Sequence, residues 1–236
     1  MQHIQSAHAP FPIESFRSLF DSMITPDQIE SIAAASHSGR GAPPKVPTAD
    51  VVASTVCHEL QPHGTQAEHL FQLTGLSLTD GALSLRRQSL DTDVFLPVME
   101  AALRPLADPK QHPECFYRGL RLLGVDGTRF SVPNSQAHAA RWKKARSRRG
   151  PAAFAQIDLV VVSELGLHNP VAAAIGTEQE SEMALARDVF GSVPPQSLAL
   201  GDRLYGVGKC IAAVIPLWLD QGSHFLFRVR SNLKRR

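Results

Sequence analysis

The sequence predicts an α/β protein, α+β overall, in which a helical N-terminal domain precedes a sheet domain with the strand order βββαβαβ. In residues 1–107, apolar residues recur at helical spacing, polar breaks are short, and no segment resembles a strand. After Pro109, short apolar and β-rich runs replace that periodicity. The 236 residues, 43% of them hydrophobic, suffice for two cores, so we expect domains at 1–107 and 108–236.

The helices of the N-terminal domain are predicted from their starting residues. Thr25 and Pro26 supply an N-cap and a first-turn proline. Thr48 is expected to cap a helix over residues 49–60, whose apolar residues share one face. Three further helices are expected at 66–73, 80–90 and 94–106.

The second domain is predicted to contain five strands and two helices. Strands are expected at 120–125, 154–162, 170–175, 197–200 and 225–229, and helices at 181–190 and 208–221. Three successive strands without helical spacers favour an antiparallel meander, and the later crossovers favour parallel pairing of the first and fourth strands. This is the order of a ribonuclease-H-like sheet.

Charge divides the chain into two unlike halves. Residues 1–107 carry a net charge of −5 and residues 108–236 a net charge of +7, which together give the overall +2. Six basic residues fall between Arg141 and Arg149. A solvated loop is the ordinary interpretation of such a run, but its position between two predicted strands makes phosphate contact a candidate role.

Cysteine usage and hydropathy exclude several classes of protein. The three cysteines are far apart and form no C-x-x-C pair, so neither a disulfide framework nor a zinc site is indicated, and buried thiols are expected. No apolar run approaches the ~18 residues that a membrane span needs. The N-terminus lacks a basic start and an apolar signal segment, so we expect a cytoplasmic protein without membrane partners.

Two aspartates occupy the same local setting and are the candidate catalytic and metal-binding residues. Asp126 in GVDGT and Asp202 in LALGDR each follow an apolar run, with glycine beside them. A single strand-end aspartate usually caps a turn. Two on neighbouring strands repel each other unless a cation lies between them, and their hard oxygens suit Mg²⁺ or Mn²⁺. We therefore predict a divalent-metal site at Asp126 and Asp202.

Basic residues of the second domain are the candidate DNA contacts. They are Arg129, Lys143, Lys144, Arg146, Arg203, Arg228 and Arg230. Arg203 directly follows the second aspartate, and the last two arginines share one face of a strand, where an exposed polar edge is the alternative. Arg86 and Arg87 suggest a recognition helix, although the acidic balance of their domain argues against strong phosphate binding there.

The chain resembles the DDE transposases of bacterial insertion sequences, specifically the insertion element four family. The segments that carry the resemblance in the second domain are GVDGT, QIDLVVVSELGLHNPVAAAIGT, SEMALARDVF, LALGDRLYG and HFLFRVRSN. In the N-terminal domain, RGAPPKVPTADVVASTVCHEL and LTDGALSLRRQSL are similar to the same family. The order and spacing of these segments, rather than any one of them, make the resemblance specific.

The resemblance implies ribonuclease-H-like catalysis with three carboxylates and two divalent cations. Asp126 and Asp202 match the first two carboxylates. The family's third, a glutamate in a downstream Tyr-x-x-Arg-x-x-x-Glu-x-x-x-x-x-x-Lys pattern, is absent from the sequence. We therefore expect a C-terminally truncated transposase, with an incomplete catalytic domain, that does not cleave DNA alone. Its implied partners are double-stranded DNA at the element ends and target, and a second copy or full-length transposase.

Two alternatives remain open from the sequence. One is a non-catalytic DNA-binding product that inhibits full-length transposase. The other is a nuclease completed by an acid of its own, for which the candidates are Glu164, Glu178, Glu180 and Glu182. Glu182 is the best of these, because Ser181-Glu182 resembles a recurrent family position, whereas helix-opening acids ordinarily serve only to oppose the helix dipole.

Overall fold

The computed structural model describes residues 12–36, 44–61, 63–147, 150–177 and 179–229. The chain divides into two compact units, Met1–Ala101 and Ala102–Arg236. Among the described residues, no helix has the length and apolar character needed to cross a bilayer. All three cysteines are buried free thiols, as the sequence predicts, and burial raises the pKa of each.

The first unit is helical. Its described helices are α1 (Ile13–Met23), α2 (Pro26–Ser36), α3 (Thr48–Leu60), α4 (Gln66–Thr74), α5 (Asp80–Gln88) and α6 (Leu96–Ala102). One core joins α1, α2 and α3 through residues that include Phe20, Ile29 and Val52. A smaller core joins α3, α4 and α5 through Val51, Leu70 and Leu83.

Two details of the predicted helices are wrong. Thr48 is the first residue of α3 rather than its cap, because Pro47 occupies the N-cap position. The helix expected over 94–106 is a 3₁₀ turn at Thr92–Phe95 followed by α6, which ends at Ala102. Pro105 accounts for the early end, since the residue before a proline disfavours helical geometry.

The second unit contains all the described strands. In chain order its elements are β1 (Phe116–Tyr117), β2 (Leu120–Val132), α7 (Gln136–Arg141), β3 (Arg146–Ser147), β4 (Gly150–Pro151), β5 (Ala155–Glu164), β6 (Pro170–Gly176), α8 (Glu182–Phe190), β7 (Ser197–Gly206), α9 (Gly208–Trp218) and β8 (His224–Val229). The predicted βββαβαβ order is present as β2, β5, β6, α8, β7, α9 and β8. The structure adds the short strand β1, the helix α7 and the β3–β4 pair to it.

The main sheet is mixed, with spatial order β6-β5-β2-β7-β8 and β1 beside β2. Strands β2, β5 and β6 pair antiparallel, whereas β7 runs parallel to both β2 and β8. Helices α8 and α9 contribute Leu185, Phe190, Val214 and Trp218 to the core that covers one face. The predicted fold class is confirmed, and the first predicted strand pairs parallel with the fourth, as β2 does with β7.

The two strands that carry the aspartates run further than predicted. Strand β2 continues past Asp126 to Val132, because it stays paired with β5 over its whole second half. Strand β7 continues past Asp202 to Gly206. Its pairing with β2, however, stops at Val125 and Gly201. The aspartates therefore lie where two neighbouring strands cease to pair, not at the ends of the strands.

Candidate active site

Asp126 and Asp202 occupy equivalent places on neighbouring parallel strands. The last paired residues of β2 and β7 are Val125 and Gly201, and each aspartate is the next residue of its strand. Side chains alternate between the faces of a sheet, so equal register directs both aspartates to the same face. Both side chains are exposed. The structure thus brings the two predicted site residues together at one edge of the β2–β7 pairing.

Each aspartate keeps one carboxyl oxygen in a local hydrogen bond. The backbone N–H of Gly127 donates to Asp126 Oδ1 at 2.9 Å, and that of Leu204 donates to Asp202 Oδ1 at 2.7 Å. Among the described residues, no group donates a hydrogen bond to either Oδ2. The Oδ2 atom of each exposed aspartate therefore has no hydrogen-bond donor among the described residues.

Glu182 approaches the same strand from helix α8. It is the first residue of that helix, directly after Ser181, whose hydroxyl accepts a hydrogen bond from the Ala184 N–H at 3.2 Å. Its carboxyl lies against the backbone of Gly127: a β-carbon at that position would stand 2.3 Å from Glu182 Cδ. Only glycine permits this approach, which places a third carboxylate beside the residue that follows Asp126.

Tyr205 joins Glu182 to the second aspartate strand. Its hydroxyl donates a hydrogen bond to Glu182 Oε1 at 2.9 Å, and its fully buried ring contacts Phe190 and Phe227. Burial first, then the hydrogen bond and charge of Glu182, and then the charges of Asp126 and Asp202 raise the pKa of Tyr205. The phenol therefore stays protonated and remains a donor.

Glu164 is excluded as a third site carboxylate. It is fully buried, forms an ion pair with Arg121, and accepts hydrogen bonds from the backbone N–H groups of Leu106 at 2.9 Å and Ala107 at 3.1 Å. All of its bonding capacity is used inside the protein. Glu178 lies outside the described residues, and Glu180 accepts hydrogen bonds from the backbone N–H and hydroxyl of Thr177.

The donor set suits a hard divalent cation in chemistry, although it is not assembled into a compact cage. In the described ranges of the chain, no group of three or more His, Cys, Asp or Glu side chains is close enough together to hold a metal ion. The free oxygens of Asp126 and Asp202 are nevertheless of the type that Mg²⁺ and Mn²⁺ prefer. Two protein carboxylates completed by water and phosphate are ordinary for Mg²⁺.

The basic residues predicted to contact DNA differ in exposure and in whether they already form hydrogen bonds or ion pairs within the protein. Arg203 and Arg228 are exposed on β7 and β8. Lys143 and Lys144 are exposed beside a cleft of about 830 Å³ that Trp142 also lines, and Lys144 Nζ donates to the Ala153 carbonyl.

Arg129 is engaged by a carboxylate on the neighbouring strand. Its guanidinium pairs with Asp158, and the contact from Nη2 to Oδ2 is 3.1 Å. This hydrogen bond, more than any other effect, raises the pKa of Arg129. The side chain of Arg146 and the whole of Arg230 lie outside the described residues.

Arg86 and Arg87 are used within the helical unit. Arg86 Nη2 donates to Thr48 Oγ1 at 2.9 Å, and Arg87 Nη1 donates to Gln66 Oε1 at 2.7 Å. Both contacts tie α5 to neighbouring helices. If α5 were a recognition helix, it would contact DNA with two arginines whose guanidinium groups already form hydrogen bonds within the unit.

Comparison with known proteins identifies two relatives. The chain is 29% identical over 139 residues to Transposase InsG for insertion sequence element IS4 of Escherichia coli (strain K12). The matched residues make up 58% of this chain and 30% of that relative. It is 28% identical over 90 residues to the protein named "Putative transposase InsZ" of the same strain. The matched residues make up 38% of this chain and 30% of that relative. Both relatives are named as transposases, one of them for an insertion sequence element.

The resemblance that the motifs indicate is therefore confirmed. The matched regions span less than a third of the length of either relative. No family model matches the chain.

Glu182 is the residue beside the aspartate strands whose contacts the sequence does not reveal. Its contact with Gly127 and its bond to Tyr205 join three segments that are distant in sequence. The available signals were the glycine directly after Asp126 and the tyrosine three residues after Asp202. Neither residue indicates from the sequence that Glu182 contacts it, because the contact depends on how α8 packs on the sheet.

Proposed function

We propose that this chain is part of an insertion-sequence transposase, and that Asp126 and Asp202 form the carboxylate pair of its DNA-cleaving site. The single observation that carries the proposal is their equal register on β2 and β7, immediately beyond the last paired residues Val125 and Gly201. The transposase relatives support it independently. Its substrate is double-stranded DNA, and its place is the cytoplasm, where bacterial DNA lies.

Asp126 and Asp202 would hold Mg²⁺ or Mn²⁺ through their free Oδ2 atoms. A divalent cation, when bound, stabilises the charge that develops on the attacking and leaving oxygens of a phosphodiester. The backbone N–H groups of Gly127 and Leu204 fix the orientation of the two carboxyls by holding Oδ1. The residues therefore present preset oxygen ligands, which lowers the ordering cost of binding.

Exposed cations supply the contacts to the DNA backbone. Arg203 directly follows Asp202 in the chain and is exposed, and Lys143, Lys144 and Arg228 are further exposed cations of the same unit. We assign Arg129 a lesser part, because Asp158 already neutralises it. Arg146 and Arg230 remain candidates from the sequence alone.

DNA cleavage and DNA binding by the purified chain test the proposal together. The probes are duplexes from the two flanks of its own gene, with scrambled duplexes of the same composition as controls, at several salt concentrations with MnCl₂. Cleavage that Asp126→Asn and Asp202→Asn both abolish would establish the carboxylate pair and would contradict the expectation that this chain does not cleave DNA alone. Failure to bind flank DNA better than scrambled DNA, together with no cleavage, would reject the proposal.

A second candidate function is non-catalytic DNA binding that interferes with a complete transposase. The observation that favours it is the exposed basic surface at Lys143, Lys144 and Arg203, which needs no metal to hold phosphate. Sequence-specific, salt-dependent binding without cleavage would select this candidate, because added salt weakens the attraction between basic side chains and phosphates whether or not the DNA is cut. Inhibition of a full-length relative in a transposition assay would then confirm it.

A further inference from the structure

A cleft lies in the stretch of chain that connects β2 to β5. Its volume is about 830 Å³, within the ~300–1,000 Å³ typical of sites that enclose a small ligand. None of the described residues that line it is acidic, and they include Pro133, Asn134, His138, Trp142, Lys143 and Pro151. The cleft therefore combines an apolar and aromatic wall with positive charge.

Contacts within the chain hold the aromatic wall in place. The rings of His138 and Trp142 meet edge to face, with their centroids 5.6 Å apart, and the backbone N–H of Trp142 donates to the His138 carbonyl at 2.8 Å. His138 Nδ1 lies 3.0 Å from the Pro133 carbonyl oxygen, which makes Nδ1 the protonated nitrogen. A half-buried indole beside a fixed imidazole therefore lines the cleft.

The two lysines of the cleft differ in how their ammonium groups are used. Lys144 Nζ donates to the Ala153 carbonyl at 2.8 Å, and Asn134 Nδ2 donates to the same oxygen at 3.1 Å. Lys143 is exposed, and none of the described residues forms a hydrogen bond or ion pair with its side chain. Lys144 thus stabilises the wall, whereas Lys143 retains its capacity to bind an anion.

The combination of an indole and a lysine selects the kind of ligand. Phosphate groups of duplex DNA would account for Lys143 but not for Trp142, because the bases of a duplex cover one another's faces in the stack. An apolar peptide would account for Trp142 but leave Lys143 without a negative partner. Proteins that bind single strands use both features, aromatic side chains for the bases and basic side chains for the backbone.

We propose that this cleft binds unpaired DNA, with the base of one nucleotide stacked on Trp142 and an adjoining phosphate against Lys143. The inference rests on the proposed function in taking DNA as the substrate, but it requires neither Asp126 nor Asp202. It assigns a second DNA contact of a different kind, made to a base face and not to a duplex backbone.

The distance from the aspartates to the cleft suits one continuous strand of DNA. Val132, the last residue of β2, lies six residues after Asp126. Six residues of extended chain span about 20 Å, and roughly six stacked nucleotides at ~3.4 Å each span the same length. A strand that contacts the aspartates is therefore long enough to place an unpaired nucleotide in the cleft.

DNA binding by the full chain in EDTA tests the inference without metal or cleavage. The probes are a fluorescently labelled single strand, the same sequence as a duplex, and the same strand with abasic positions, which keeps the phosphates but removes base faces. We expect the intact single strand to bind most tightly in anisotropy titrations. Duplex or abasic DNA that binds as tightly as the intact strand would overturn the inference.

Tryptophan fluorescence locates the bound base. The chain has two tryptophans, Trp142 and Trp218, and Trp218 is only 1% exposed. Single-stranded DNA should therefore quench Trp142, and the quenching should persist in Trp218→Phe. Trp142→Ala should weaken single-strand binding at least fivefold, because stacking on an aromatic ring contributes that much per base. Trp142→Phe should lose less, and wild-type affinity in Trp142→Ala would contradict the assignment.

Charge at the cleft is tested by salt dependence. Lys143→Gln should reduce the slope of log K against log salt for the single strand by about 0.7, the value for one lost phosphate contact. Lys110→Gln removes the same charge at an exposed position of the same unit outside the cleft lining, and should keep the wild-type slope. Equal slopes in both variants would remove Lys143 from the site. Circular dichroism checks that each variant is folded.

The outcomes separate this inference from the proposed function. Asp126→Asn should bind the single strand like the wild type, because the cleft does not use that carboxylate. If Trp142→Ala and Lys143→Gln leave single-strand binding unchanged while the wild type still binds flank duplexes, the inference is wrong and the proposed function stands. If the wild type binds neither form of DNA, both fail.

Discussion

Glu164 and Glu182 lie on neighbouring elements of the same unit, but their carboxylates differ in burial and in how fully they are hydrogen-bonded. Glu164 is fully buried, and Arg121 with two backbone N–H groups uses both of its oxygens. Glu182 is half-buried, and Tyr205 uses one of its oxygens. A carboxylate whose bonding is saturated inside the protein stabilises the fold, whereas one left half-satisfied at an edge has capacity to bind something else.

The largest effect that this comparison predicts is on stability at Glu164. Glu164→Ala should lower the free energy of unfolding by about 3–5 kcal/mol, because it leaves Arg121 and the N–H groups of Leu106 and Ala107 without their buried partner. Urea denaturation monitored by circular dichroism measures the change. Glu100→Ala, at an exposed position, is the control and should cost well under about 1 kcal/mol. A destabilisation at Glu164 no larger than at Glu100 would break the comparison.

A smaller destabilisation is predicted at Gly127. Gly127→Ala places a methyl group 2.3 Å from Cδ of the flexible Glu182 side chain and should cost about 1–1.5 kcal/mol, as the carboxyl turns away from Tyr205. The same substitution in a Glu182→Ala background should cost much less, since the clash is gone. A double-mutant cycle by urea denaturation reports this coupling. Additive effects would mean that Gly127 is needed for some reason other than the approach of Glu182.

Tyr205→Phe should cost about 0.5–1.5 kcal/mol at neutral pH, because it removes one part-buried hydrogen bond. The effect should change with pH in a defined direction. The folded protein raises the pKa of Tyr205, whereas the unfolded chain ionises it near pH ~10. The stability that the protonated phenol contributes is therefore full below about pH 10 and is lost as pH rises further. Stability curves of the wild type and the variant should converge above pH ~10, and parallel curves would contradict the assignment.

The smallest effect is expected at Glu180. Its carboxylate accepts hydrogen bonds from Thr177, which lower the pKa of Glu180. Its contribution to stability is present above the ordinary glutamate pKa of about 4.3 and disappears as pH falls below it. Thermal unfolding of Glu180→Gln and wild type should therefore differ slightly at pH 7 and coincide in acid. A Glu180→Gln effect as large as that of Tyr205→Phe would show that exposure is a poor guide to the role of these glutamates.

The sequence predicts the aspartate pair better than it predicts the surroundings of that pair. Parallel pairing of the first and fourth strands follows from element order and crossover rules, so the neighbouring positions of Asp126 and Asp202 could be expected. The continuation of β2 to Val132 could not, because it depends on residue-by-residue pairing with β5. Local patterns contain no information about that partner.

The same limit explains the ranking of the glutamates. Glu164 and Glu182 are both acids at the ends of predicted elements, and nothing local separates them. The separation arises from tertiary contacts: Arg121 and the chain at Leu106 reach the first, and Tyr205 reaches the second. Helix capping at Thr48 fails for a simpler reason, since Pro47 already occupies the capping position.

The end of β2–β7 pairing at Val125 and Gly201 also determines where the chain tolerates changes in length. An extra residue before Gly201 would shift the register and turn Asp202 to the other face of the sheet. An extra residue between Asp202 and Gly206 falls where β7 has already left register with both neighbours, so Asp202 would stay beside Asp126. Insertions separated by only a few codons should therefore have opposite consequences, one removing the carboxylate pair and the other altering only the chain that follows it.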